Sequence, residues 1–291
     1  MELLIHLNGK LVPEKEAVVS VFDHGLLYGD GVFEGIRAYN GVVFRLNEHI
    51  RRFYQSARTI MLEMPVGPAE LTEALLETLR ANKLRDAYIR LVATRGKGDL
   101  GLDPRKCPRA TYFIIASKIQ LYPQELYTKG MDIITVPTRR TGVEMLNPAV
   151  KSLNYLNNIM AKIEGNNAGV SESLLLNPEG LVLECTGDNV FLVRGEELLT
   201  PPLYLGVLAG ITRQAVLELA PKAGLTPREL PCTRHDVFNA DEVFLTGTAA
   251  EIVPVVKVDG RVIGRGKPGP YTGKLLTLFH DLTRKDGTPI Y

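Results

Sequence analysis

Two Asn-Gly pairs near the start of the chain limit its fold more than any other feature. In LLIHLNG apolar residues alternate up to Asn8-Gly9, and KLVPEKEAVVSVF resumes extended chain behind the pair; VFEGIRAYNGVVFRL repeats the pattern around Asn40-Gly41. Asn and Gly tolerate the backbone of a tight hairpin turn, so a short antiparallel ribbon is expected at each pair. The period then changes: NEHIRRFYQSARTIML places apolar residues at helical spacing behind a candidate Asn47 cap. A second helix, PAELTEALLETLRANKL, leads into the strands AYIRLVATR and ATYFIIAS. Residues 1–118 are therefore expected to form a small α+β domain. KIQLYPQELYTKG has no strong period and contains Pro, which makes 119–130 the candidate interdomain linker. A second domain, 131–291, is expected to open on the strand MDIITVP. It continues with a helix in LNYLNNIMAKIEGNNAG, strands in SESLLLNPEGLVLE and NVFLV, a helix in ITRQAVLELAPKAG and the strand DEVFLTG.

A chain of 291 residues, 45% of them hydrophobic, can bury the cores of two such domains. Its 34 Lys+Arg nearly balance 33 Asp+Glu, so no general attraction to nucleic acid or to an anionic membrane is expected, and any anion site must be local. No apolar run approaches the ~20 residues that cross a bilayer, and MELLIHLNGK does not read as an export signal; a cytoplasmic protein is expected. Cys107, Cys185 and Cys232 are scattered without CxxC spacing, and the five His fall in unrelated segments, which argues against disulfides and a metal centre. GKGDLG, residues 96–101, satisfies a dinucleotide glycine pattern, but LDPRKCPRA behind it cannot supply the helix that such a site needs.

The chemistry concentrates in four later segments. In PAVKSLNYLNN, Lys151 stands among apolar residues as a helix begins. Its stem could simply lie on the core with the ammonium in water; alternatively it is a Schiff-base lysine, whose amine must be neutral to attack an aldehyde. In LAGITRQAVLELA, Gly210 and Thr212 open a helix, which is either an ordinary cap or a place where N–H groups and a hydroxyl meet an anion. In VFLTGTAAEIVPV a strand ends in Gly247-Thr248-Ala249-Ala250, either a plain turn or a backbone that a ligand can approach closely. Glu184, in LVLECTGDNVFLV, is either an exposed edge residue or a carboxylate that keeps a pyridine nitrogen protonated. Arg52 in EHIRRFYQSA could add a contact to a phosphate or be a solvated helix arginine.

In this order along one chain, YGDGVFEGIRAY, HIRRF, KSLNYL, LECTGDNVF, GITR and TGTAAEIVPV resemble the landmarks of the fold-type-IV pyridoxal-phosphate-dependent enzymes, over roughly residues 1 to 275. The resemblance implies a mixed α/β, two-domain fold: a small N-terminal α+β domain and a larger C-terminal domain with a barrel-like β core, the pyridoxal 5'-phosphate lying between them. It makes Lys151 the catalytic lysine, Glu184 the partner of the pyridine nitrogen and Tyr155 a donor to the ring hydroxyl oxygen, with Arg52, Ile211, Thr212 and Thr248 on the phosphate. It places Tyr28, Phe33, Gly35, Tyr88 and Arg90 on the substrate side. Tyr88 and the Thr248-Ala249-Ala250 backbone would meet the α-carboxylate. Some branched-chain members carry one more residue between the lysine and the tyrosine. The likeness also implies a homodimer or an assembly of dimers, with a partner loop at the substrate pocket.

Within the family, VFEGIR, GITR, GTAAEIVPV and Arg90 in AYIR look like the branched-chain-amino-acid aminotransferases, which implies transfer from L-leucine, L-isoleucine or L-valine to 2-oxoglutarate. The alternatives are a D-amino-acid or (R)-amine transaminase, an aminodeoxychorismate lyase, and a protein that binds the cofactor without catalysis.

Overall fold

The computed structural model describes residues 2–118 and 122–291, which form two compact units. The first comprises 2–118, Val150–Asn154 and Thr283–Tyr291; the second comprises 122–149 and Tyr155–Leu282. This division differs from the expected 1–118, 119–130 and 131–291. Residues 119–121 of the expected linker lie outside the described residues, and its remainder is not structureless: it holds a short helix, Gln124–Lys129.

In the first unit, β1 (Leu4–Leu7), β2 (Lys10–Pro13), β3 (Gly31–Tyr39), β4 (Val42–Phe44), β5 (Ala87–Thr94) and β6 (Thr111–Ser117) form an antiparallel sheet with α1 (His24–Tyr28), α2 (Leu46–Thr59) and α3 (Pro68–Ala81) in the same unit. Both Asn-Gly pairs are two-residue hairpin loops. Asn8 and Gly9 have φ of 50° and 89°, and Asn40 and Gly41 have 54° and 88°, the positive pair that suits a right-twisted ribbon. The start of α2 departs from expectation. Its N-cap is Arg45 in the left-handed region, φ 46°, and Asn47 lies inside the first turn. Arg45 is held there by its bond from Nε to Asp286 Oδ2 at 2.8 Å, while its carbonyl accepts the His49 N–H. That ion pair offsets a left-handed cost of about 1–2 kcal/mol. The α2 residues Leu46, Ile50, Phe53 and Ala57 recur on one face and pack with Leu71, Leu75 and Leu79 of α3 and Ile36, Ile89 and Leu91 of the sheet.

The second unit contains α4 (Gln124–Lys129), α5 (Leu156–Asn167), α6 (Ile211–Ala223), α7 (Arg234–Phe238) and α8 (Pro270–Thr283). Its sheet comprises β7 (Met131–Thr135), β8 (Glu172–Leu176), β9 (Val182–Cys185), β10 (Asn189–Arg194), β11 (Glu197–Thr200), β12 (Thr226–Glu229), β13 (Glu242–Gly247), β14 (Glu251–Val258) and β15 (Arg261–Val262). Six of these strands close on themselves in the order β10-β13-β14-β7-β8-β9, and the seam is the pairing of Asn189 with Glu184. Leu174, Leu176, Val182, Val190, Leu192, Val243, Leu245, Val253 and Val255 share its core. A final strand, β16 (Gly287–Pro289), pairs with β4 and so returns the end of the chain to the first sheet. The mixed α/β architecture with a barrel-like sheet is the one the sequence reading anticipates.

Candidate active site

In the first unit the residues singled out on β3 and β5 share one sheet face. Gly35 pairs with Arg90, Phe33 with Val92 and Arg37 with Tyr88, so alternate positions bring Phe33, Gly35, Tyr88 and Arg90 to the same side. A Cβ on Gly35 would overlap the Tyr88 hydroxyl, which explains a glycine in mid-strand. Arg90 donates from Nη2 to Tyr88 Oη at 3.0 Å and lies 4.6 Å from the Phe33 ring centroid.

Lys151 is brought to this face by its backbone. Its N–H donates to Ser56 Oγ at 3.1 Å, its carbonyl accepts the Phe33 N–H at 3.0 Å, and Ser152 bridges Val32. The flanking Leu153 N–H donates to the Gly31 carbonyl, and Gly31 has no room for a Cβ against Ala93 O and Leu153. The Lys151 ammonium nitrogen stands 4.5 Å from the Phe33 ring centroid, so Phe33 faces two cations, Lys151 and Arg90. Tyr28 is engaged differently: its hydroxyl donates to Leu100 O at 2.5 Å and its ring meets His24 edge-on.

Arg52 is no solvated surface arginine. It is buried, and Nε and Nη2 each donate to a Glu34 oxygen at 2.7 Å; His49 Nδ1 lies 2.8 Å from Glu34 Oε2. Complete burial of Glu34 opposes ionisation, but the Arg52 charge and the His49 and Arg52 hydrogen bonds outweigh it and hold the carboxyl at about 2. Burial lowers the pKa of His49, although Glu34 acts the other way, so the imidazole is neutral at neutral pH and Nδ1–H donates to the carboxylate. Glu34 stands in the quoted VFEGIR, yet its period-two position gives it no special mark in sequence.

In the second unit Glu184 sits at the barrel seam and is only 5% exposed. Arg140 Nε donates to Oε1 at 2.8 Å, while the Leu208 N–H at 3.0 Å and Asn189 Nδ2 at 3.3 Å donate to Oε2. Arg140 also donates to Asn158 Oδ1, and Asn157 holds the adjacent backbone through Arg139 O and Thr141 N–H. The first turn of α5, whose N-cap is Tyr155, is thus tied to the arginine that orients Glu184. Arg140 was invisible to sequence reading: a dibasic pair after a strand is ordinarily solvated, and only the fold buries it.

α6 starts at Ile211 with Gly210 as N-cap, no capping side chain and no acidic residue in its first turn, and Thr212 is 3% exposed. The leading N–H groups of such a helix favour an anion. Thr248-Ala249-Ala250 form the three-residue tip between β13 and β14, closed by Glu251 at φ 61°. Glu251 in turn accepts from His280 Nε2 at 2.8 Å. The first unit therefore groups Phe33, Gly35, Tyr88, Arg90 and Lys151, with Arg52 on Glu34. The second carries Tyr155, Glu184, Ile211, Thr212, Thr248, Ala249 and Ala250.

Residues 31–258 match the model of the amino-transferase class IV family. A Methanocaldococcus jannaschii protein, whose assignment as a branched-chain-amino-acid aminotransferase is itself provisional, is 57% identical over 99% of both chains. The D-alanine aminotransferase of Bacillus licheniformis is 38% identical over 94% of this chain and 95% of its own. The crystal structure of the T.th. branched-chain amino acid aminotransferase with pyridoxamine 5'-phosphate superposes with a TM-score of 0.94 at 39% identity, covering 98% of this chain and 95% of that one. With a family match across most of its length and relatives this similar end to end, the chain belongs to the class IV aminotransferases, the pyridoxal-phosphate-dependent enzymes of fold type IV.

Proposed function

We propose that the protein is a branched-chain-amino-acid aminotransferase that moves the amino group of L-leucine, L-isoleucine or L-valine to 2-oxoglutarate, reversibly and by a ping-pong cycle, with pyridoxal 5'-phosphate as cofactor. The observation that carries the cofactor part of this reading is Glu184, a carboxylate at the barrel seam fixed by Arg140, Asn189 and the Leu208 N–H; the branched-chain part is supported by the likeness to the T.th. branched-chain amino acid aminotransferase. A fixed buried carboxylate suits a protonated ring nitrogen. The α6 entrance at Gly210, without an acidic residue, suits a phosphate.

When bound, pyridoxal phosphate supplies an aldehyde for the amino group and a ring that withdraws electrons from the substrate's α-carbon. Lys151 would hold that aldehyde, then remove the α-proton and return it to the former aldehyde carbon. Glu184 would keep the ring nitrogen protonated, and Tyr155 would donate to the ring hydroxyl oxygen. Arg52, Ile211, Thr212 and Thr248 would hold the phosphate, with Glu34 and His49 orienting Arg52. On the substrate side, Tyr28, Phe33 and Gly35 would line the aliphatic chain. Tyr88 and the Thr248-Ala249-Ala250 backbone would take the α-carboxylate, and Arg90 the distal carboxylate of glutamate.

We read the two units as the small and large domains of this fold, and the protein as a cytoplasmic homodimer. Support for a second copy comes from the first unit: segments 18–28 and 97–102 lie side by side through Asp23–Lys97 and expose Val18, Val21, Leu26, Leu100 and Leu102. Among the described residues no helix is long and apolar enough to cross a membrane.

Absorption spectra of the purified protein with L-leucine, D-alanine or a primary amine, each without keto acid, test the reaction. Loss of the pyridoxal-phosphate band with L-leucine, restored by 2-oxoglutarate, is expected. Bleaching only by D-alanine would move the activity to the branch of the Bacillus relative, and absence of any band would remove the catalytic reading.

A further inference from the structure

The two glycine loops proposed to meet the phosphate and the substrate carboxylate are distant in sequence, yet one dipeptide, Asp188-Asn189, lies against both. Asn189 forms the barrel seam with Glu184, and its Nδ2 also donates to the Leu208 carbonyl at 3.1 Å. Leu208 returns its own N–H to Glu184. The Oδ1 of Asn189 occupies the space that a Cβ on Gly210 would take, so any side chain at the entrance of α6 would have to displace the Asn189 amide. Asp188, the preceding residue, reaches the other loop. Its Oδ2 accepts from the Tyr122 hydroxyl at 2.9 Å, and its Oδ1 fills the space where Gly247 lacks a Cβ. Asp188 is 5% exposed, and its carbonyl accepts the Cys185 N–H at 2.7 Å, which closes the turn from β9 into β10. Burial of Tyr122 and the nearby carboxylates of Asp188 and Glu172 push its pKa well up, so the phenol remains a donor.

We propose that Asp188-Asn189 is a positioning clamp that sets three parts in one register: the Glu184 carboxylate, the α6 entrance at Gly210 and the hairpin tip after Gly247. The inference rests on the cofactor reading above and extends it to two residues outside the proposed ligand set. A shift of Asn189 moves Glu184 and the Leu208–Gly210 turn together, because its amide bonds both. A shift of Asp188 moves the strand end that leads into Thr248-Ala249-Ala250. The two halves of the clamp therefore differ in what they move: Asn189 acts on Glu184 and the α6 entrance, both on the cofactor side, and Asp188 acts on the hairpin tip, whose backbone would meet the substrate carboxylate and whose Thr248 would also meet the phosphate.

The test compares wild-type holoenzyme with Asn189→Ala, Asp188→Ala and Asp188→Asn. It reads the Kd for pyridoxal phosphate, the pH profile of the bound cofactor's absorption, KM and kcat for leucine and 2-oxoglutarate, and Tm. Asn189→Ala is expected to raise the cofactor Kd about 10-fold or more, the scale of a lost hydrogen bond to a charged group, and to shift the absorption pH profile. Asp188→Ala is expected to raise both KM values about 5-fold with kcat within about 2-fold, and Asp188→Asn, which still accepts from Tyr122, to recover most of that loss. If Asn189→Ala does not accumulate as folded protein, Gly210→Ala probes the same contact from the other side, since its methyl group must displace Asn189 Oδ1; its cofactor Kd is then expected to rise in the same way. A lowered Tm with wild-type Kd and KM in the folded fraction, or a wild-type Kd in Gly210→Ala, overturns the clamp and leaves the aminotransferase reading standing. A wild-type protein that takes up no pyridoxal phosphate overturns both.

Discussion

Replacing Glu34 by Gln should expose how strongly the first unit depends on one buried carboxylate. Glu34 has no exposure, and its carboxyl is held at about 2 against an ordinary value of 4.5. Its folded-state pKa is depressed, so its contribution is complete above about 4.5 and is lost as pH falls toward 2. The drop from 4.5 to about 2 corresponds to roughly 3 kcal/mol, of which about 1 kcal/mol should be gone near pH 4 and about 2 kcal/mol near pH 3. The amide of the Glu34→Gln variant would leave Arg52 buried beside a neutral group, and breaking such a pair typically costs about 3–5 kcal/mol. His49 adds a dependence of the same sign: its pKa is lowered, so its contribution is full above about 6.5 and declines below that. Urea denaturation of the cofactor-free chain from about pH 7 down to about pH 3, wild type beside Glu34→Gln, measures all of this. The expected result is a gap of about 3 kcal/mol at neutral pH that narrows as the wild type loses its ionised carboxylate. A gap of the same size at every pH would refute the assignment, because the lost stability would then come from packing and not from charge.

Arg140→Gln removes the cation beside Glu184, so the cofactor-free variant should lose about 3 kcal/mol, while pyridoxal phosphate should raise its Tm more than that of the wild type. Equal cofactor-induced shifts in differential scanning fluorimetry would argue against ring-nitrogen pairing at Glu184. Among the described residues Thr246 Oγ1 is buried with no hydrogen-bond partner, and Thr246 stands opposite Asn189 in the strand register, so Thr246→Val should be neutral or stabilising by about 1 kcal/mol. A destabilised variant in urea titration would show that the hydroxyl is satisfied by bound water. Arg90→Ala should raise KM for glutamate and 2-oxoglutarate by about 10-fold or more, and that for leucine much less. Equal losses in steady-state kinetics would remove Arg90 from distal-carboxylate recognition.

Local pattern was enough to read the hairpins at Asn8-Gly9 and Asn40-Gly41, the helix opened by Pro68 and the strands that carry Phe33 and Arg90, because each rests on neighbours within a few residues. What escaped is non-local. The cap of α2 is set by Asp286, 241 residues away, and the last strand returns to β4 for reasons held in the first sheet. Arg140 reads as a surface cation until the closing of β9 on β10 places Glu184 beside it. Lys151 itself was legible as an odd lysine, but not what pins it: Ser56 and Phe33 lie 95 and 118 residues earlier, and neither carries a mark that pairs it with Lys151. The physical reason is common to these cases. A charge in water is cheap and a buried one must be matched, so the partners of Glu34, Arg45 and Glu184 are dictated by burial, which only the completed fold creates. Proposed roles drawn from motif order thus name the groups offered to cofactor and substrate, while the residues that hold those groups still, Glu34, Arg140 and the Asp188-Asn189 pair, become visible from burial and geometry.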